Sequence, residues 1–164
     1  MVRITSRFPQ DTDIVYLAEN LRQADIAELA AVTDLLPCEA VIASVQASDP
    51  RFLRAWLADD ELLCICGCSP VTVAQAAPWL LATDLLDKHL LRLTREARQG
   101  VQDMRSVYPH LTNVIDVKQV KIMRWLQLLG FAFTDRQEAR AGFEVMRFEM
   151  SSVFSVSAVE KKAT

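Results

Sequence analysis

Apolar and polar residues alternate over 2–6, which predicts a short first strand, turned by Phe8-Pro9-Gln10-Asp11. From Asp11 or Thr12 the apolar residues recur at Ile14, Leu17, Leu21, Ile26, Leu29 and Ala30, the spacing of a helical stripe. The stripe breaks near Gln23-Ala24-Asp25, so the segment predicts two consecutive helices or one kinked helix, with Asp25 as a cap for the second. Pro37 suits the first turn of another helix running to about Ala47, ended by Ser48-Asp49-Pro50. Phe52–Leu57 and Leu62–Cys68 are apolar runs joined by the polar tetrad Ala58-Asp59-Asp60-Glu61, a hairpin pattern. Ser69–Ala77 has too little periodicity to assign, and Pro78–Thr83 reads as a short, fully buried strand.

Thr83-Asp84-Leu85-Leu86-Asp87 has a helix-start pattern, a hydroxyl or Asx cap followed by an acid. The helix should run to about Tyr108, where Pro109 stops it, with Lys88, Arg92, Arg95 and Arg98 on a solvated face. Leu111–Val117 predicts a strand. Gln119–Leu129 is amphipathic and ends at Gly130, a natural residue for the left-handed position past a helix. Phe131–Thr134 and Phe143–Met150 predict a terminal hairpin. The chain thus reads as one α/β domain over 1–150, a mixed sheet with helices on both faces, followed by an arm over 151–164.

Length and composition agree with this reading: 164 residues suffice for one domain with its own core. A net charge of −3 gives no electrostatic footprint for nucleic acid. No apolar run approaches the ~18 residues of a membrane span. The N-terminus is basic without an apolar stretch, so no secretory signal is expected and the chain should act in a reducing interior. Cys64, Cys66 and Cys68 alternate along one predicted strand. Their thiols would lie about 6–7 Å apart, whereas tetrahedral zinc needs sulfurs roughly 4 Å apart. Buried strand thiols, with Cys38 elsewhere, are the expectation, and no metal site.

The segment Asn113–Phe131, a strand followed by a short helix ending in Gly130-Phe131, resembles the second half of GNAT N-acetyltransferases. The likeness extends to a phage branch of that fold, the GNAT-like internal virion proteins of short-tailed phages. It rests on Trp79-Leu80-Leu81-Ala82-Thr83-Asp84, Tyr108-Pro109-His110-Leu111-Thr112-Asn113 and Arg124-Trp125-Leu126-Gln127-Leu128-Leu129-Gly130-Phe131. Asn20-Leu21-Arg22-Gln23-Ala24-Asp25 adds to it, and the match spans about Val2 to Met150. The resemblance implies a GNAT-like, mostly antiparallel central sheet. It also implies a particle-associated binding or structural role linked to assembly or DNA delivery, with other virion proteins as partners, in the virion or host cytoplasm. The alternative it leaves open is an acetyl-CoA-dependent N-acetyltransferase acting on a small-molecule or host-protein amine.

The departures from the enzymes bear on that choice. Their pyrophosphate loop is glycine-rich, because backbone N–H groups at a helix N-terminus must approach the phosphates closely. The matching stretch here, Thr83–Leu90, has no glycine and carries Asp84 and Asp87, with Lys88 and His89 as the nearby basic residues. The family's thiolate-protonating tyrosine corresponds to Leu126, which cannot act as an acid. No catalytic residue is assigned on this basis. By the resemblance, Thr83, Lys88, Asn113 and Gln119 are the cofactor-side candidates for acetyl-CoA. Asp25 and Glu28, three residues apart on one helix, are the acceptor-side candidates. Trp79 and Trp125 are expected in the core.

Overall fold

The computed structural model of the chain describes residues 1–151. Seven strands form one sheet in the order β1-β2-β3-β4-β5-β7-β6. They are β1 (Ile4–Arg7), β2 (Arg54–Ala58), β3 (Glu61–Pro70), β4 (Gln75–Ala82), β5 (His110–Asp116), β6 (Ala132–Glu138) and β7 (Glu144–Ser151). Every neighbouring pair is antiparallel except β4 with β5. The helices are α1 (Asp11–Glu19), α2 (Gln23–Val32), α3 (Pro37–Ala47), α4 (Leu86–His89), α5 (Thr94–Val107) and α6 (Val120–Leu129).

Two apolar clusters lie on the two faces of the sheet. Leu17 of α1 and Val41 of α3 pack with Leu53, Ala55, Leu62, Ile65 and Leu81. On the other side Leu86, Leu90, Leu93, Val101 and Met104 from the α4–α5 stretch meet Trp125, Leu126 and Leu129 of α6 over Leu63, Leu111 and Phe148.

Local chemistry explains most boundaries. Asp59 and Asp60 both take positive φ, 46° and 68°, in a two-residue β2–β3 connection whose twist matches the strands. Pro37 occupies the first turn of α3. Gly130, at φ 104°, ends α6: its N–H reaches Gln127 O (3.0 Å) and the Phe131 N–H reaches Leu126 O (3.1 Å), the two bonds of a Schellman termination.

Several expectations need correction. The first strand is Ile4–Arg7 rather than 2–6. The segment over 69–77 is mostly strand, since β3 runs to Pro70 and β4 starts at Gln75. The stretch from Thr83 to Tyr108 is not one helix: α4 lasts a single turn, Leu90–Leu93 tightens to a 3₁₀ turn, and α5 begins at Thr94. Thr83 does not cap it; its hydroxyl donates to Leu62 O (2.8 Å), so it closes the β3–β4 edge instead. Asp25 does not cap α2 either. The helix starts at Gln23, and Asp25 lies inside its first turn, buried. Trp125 is core, but Trp79 is half-buried and its indole N–H donates to Ser48 Oγ (2.7 Å). The arm over 151–164 lies outside the described residues beyond Ser151, which ends β7.

Candidate functional site in the splayed sheet

β4 and β5 pair only at their starts, Gln75 with His110 and Ala76 with Leu111. Two parallel strands beginning side by side would normally stay paired, because each unpaired N–H and C=O is costly to bury. Here they diverge, and side chains satisfy part of the freed backbone. Asn113 is the last tie: its Nδ2 donates to Pro78 O (2.9 Å) while its Oδ1 accepts the Val114 N–H (2.8 Å). At the far end of β4 the Ala82 N–H donates to Asp25 Oδ2 (2.8 Å), and Ala82 O accepts the Arg22 N–H (2.9 Å). Pro78, Leu80 and Ala82 stand opposite Cys68, Cys66 and Cys64, so the alternation of a strand turns the Leu80 N–H and C=O toward the gap as well.

The gap opens into a cavity of about 400 Å³ that runs through the sheet. Its polar lining includes Arg22, Asp25 and Glu28 at the start of and along α2, Gln119 before α6, Asn113 of β5 and the exposed Glu96 of α5, and its apolar lining comes from α5, α6 and the strands. Arg22 and Asp25 form a buried, two-pronged ion pair, Nη2 to Oδ1 at 2.7 Å and Nε to Oδ2 at 3.1 Å. Burial pushes the Asp25 carboxyl up, and Arg22 offsets part of that. Glu28 has no such cation. Burial, then the nearby Asp25 and Asp116 charges, raise its carboxyl from 4.5 to about 8. Gln119 Nε2 donates to Glu28 Oε2, fixing the carboxyl at the start of α6.

Of the candidates read from the sequence, Asp25, Glu28, Asn113 and Gln119 converge on this cavity. Thr83 and Lys88 are not among its lining residues. Thr83 is buried with its hydroxyl committed to β3, and Lys88 is exposed on α4. Between β4 and the end of α4 the Thr83 N–H donates to Leu63 O, the Leu86 N–H to Thr83 O and the Lys88 N–H to Leu85 O. Sequence reasoning missed Arg22, which reaches Asp87 Oδ1 at 3.4 Å, and Lys121, whose Nζ donates to Asp87 O at 2.6 Å. No local pattern pointed to either, since Lys121 lies two residues past Gln119, a spacing that does not share a helix face. The strand thiols lie near the site without the chemistry of nucleophiles: burial pushes Cys66 up to about 11 and Cys68 to about 12.

The cavity lies where β4 and β5 part and offers the Leu80 backbone and Asn113 to amide groups such as those of the CoA arm that the resemblance implies. The diphosphate does not find the glycine-loop cradle, since the turn has no glycine and holds Asp84 and Asp87; Lys88, Lys121 and the Asp87-paired Arg22 are cations beside it.

No protein-family model matches the chain, and no curated protein matches it. Solved structures do. Ard1 from Thermoplasma volcanium superposes with a TM-score of 0.67 at 13% identity, covering 90% of this chain and 96% of that one. The putative acetyltransferase yncA from Salmonella typhimurium, solved with acetyl-CoA, gives 0.61 at 14% identity, with 91% and 94% covered. The aminoglycoside acetyltransferase AAC(6')-Ib, solved with coenzyme A, gives 0.62 at 15% identity, with 92% and 96% covered. At such identities the likeness speaks to architecture alone. Sheet order, the parting of β4 from β5, and these superpositions together give the chain the fold of the GNAT acetyltransferases.

Proposed function

We propose that the chain is an N-acyltransferase that moves an acyl group from a CoA thioester to an amine, with Glu28 as general base. The observation that carries this reading is a carboxyl held near neutrality, its value raised to about 8, inside the gap where the two strands part. A general base works best when its value lies near the working pH. The CoA thioester supplies an activated acyl carbon. The chain does the rest: the Leu80 N–H, turned into the gap, would donate to the thioester oxygen, and Asn113 closes the base of the gap. Gln119 holds Glu28 in place. Glu28 takes one proton from the attacking amine as the C–N bond forms and the C–S bond breaks. Leu126 stands where an acid would meet the departing thiolate, so the thiolate leaves by taking its proton from solvent. Orientation in the gap carries the rate enhancement. Lys88 and Lys121 meet the phosphates from outside the cavity.

Calorimetry with acetyl-CoA tests donor binding, and thiol release with a panel of amines tests transfer. Glu28→Gln should lower kcat by about 10²–10⁴ while leaving the donor Kd within a few-fold. Retained turnover in Glu28→Gln would remove the base from the scheme.

The glycine-free, acidic turn after β4 favours a second reading, a noncatalytic binding module such as the particle-associated role that the phage resemblance implies. No detectable acetyl-CoA binding at millimolar concentration, together with presence of the chain in purified particles, would establish that reading over transfer.

A further inference from the structure

The cavity is not confined to the gap between β4 and β5. From the gap it continues into the seam between α5 and α6, where Leu93, Ala97, Gly100, Val101, Leu126 and Phe148 line it. Leu93, Ala97, Gly100 and Met104 follow one another at the spacing of a single helix face, so a side chain at position 100 would point into the same seam. A Cβ placed on Gly100 meets nothing within 4 Å. An α-helix interior normally disfavours glycine, and here the missing side chain leaves open space beside an apolar wall. Leu126 extends that wall, so no hydroxyl interrupts it.

We infer that this seam is an acyl-chain pocket and that the donor is a medium-chain fatty-acyl thioester rather than acetyl-CoA. The inference rests on the acyl-transfer reading above. The lining decides which reactant owns the apolar end. Glu28 and Asp25 project from the α2 side, where an incoming ammonium would be drawn to them, while the third lining carboxyl, Glu96 of α5, is exposed to solvent. Past that exposed acid the seam is lined by Leu93, Ala97, Val101, Leu126 and Phe148 and therefore suits the hydrocarbon attached to the thioester carbonyl.

The test is a calorimetric series with acetyl-, butyryl-, hexanoyl- and octanoyl-CoA on the full chain. Affinity should rise up to about fourfold with each methylene that becomes buried, until the seam is full. Gly100→Leu, filling the seam, should bring octanoyl-CoA back to the affinity of acetyl-CoA. Gly100→Ala, which strengthens the helix with far less volume, should keep most of the gain. Melting midpoints at or above that of the parent would show that both variants fold. A flat series with acetyl-CoA binding intact would overturn the chain-length inference and leave acyl transfer standing. An alkylamine series that tightens with length while the thioester series stays flat would assign the seam to the acceptor and overturn it too. Failure of every thioester to bind would remove both readings.

Discussion

Burial beside Asp25 and Asp116 keeps the Glu28 carboxyl protonated to about pH 8, whereas in the unfolded chain it would ionise near 4.5. The folded state therefore binds the extra proton between those values, and stability falls as pH rises across that window, with the full penalty present above it. Glu28→Gln removes the ionisation, so its melting midpoint should equal that of the parent near pH 4 and exceed it near pH 9. The same ionisation should give an amine-transfer rate that climbs with pH through about 8, a limb lost in the variant. A parent rate that is flat between pH 6 and 9 would mean that Glu28 takes no proton. Glu28 and Asp25 were visible in the sequence as acids three residues apart, but their difference was not. Arg22 neutralises one and not the other, and its second contact lies 65 residues away at Asp87.

Helix ends were the most legible elements. Gly130 announced the end of α6, and the structure gives it φ 104° with the Met150 Cε 3.2 Å from where a Cβ would stand. Gly130→Val should cost roughly 1–2 kcal/mol, the penalty of a left-handed L-residue, read as a lower denaturation midpoint. An unchanged midpoint would mean that the Schellman bonds to Leu126 and Gln127 contribute nothing. The break between α4 and α5 was not legible, because Leu86, Leu90, Leu93, Ala97 and Val101 continue one apolar stripe through it. The stripe records which face is buried and is silent about a tightened turn. Trp79 misled for a related reason: an aromatic on a strand signals burial whether it packs on the core or walls a cavity. At the mouth of the gap, Asp87 opposes any phosphate that Lys121 attracts. Asp87→Asn should tighten CoA binding and Lys121→Ala weaken it, each by about 0.3–1 kcal/mol as for charges near a helix end. Opposite signs would place the phosphates elsewhere.

Across the molecule, the α/β order and the helices on both faces followed from alternating and helical patterns, whereas the sheet order required contacts that no local pattern encodes. The Arg22–Asp25 pair joins these scales, since it binds the start of α2 to the last residue of β4. Asp25→Ala would strand a buried guanidinium with only the half-exposed Asp87 at 3.4 Å. It should destabilise the fold by about 3–5 kcal/mol, measured in urea, and a loss under 1 kcal/mol would show that Arg22 finds another partner.

The backbone ladder between β4 and β5, two residue pairs long, also divides the sheet into two leaves, β1–β4 and β5–β7–β6, held together otherwise by the Asn113–Pro78 bond and their shared apolar cluster. Rocking about such a short ladder breaks few backbone bonds, so it belongs to the low-energy openings of a fold rather than to global unfolding. In amide hydrogen exchange the inner ladders, β3 with β4 and β5 with β7, should be the slowest to label, while Leu80 and Val114 on the facing edges exchange through the rocking motion. A molecule lodged between the leaves would hold them at a fixed angle and slow those two amides selectively, giving a readout of occupancy that requires no turnover.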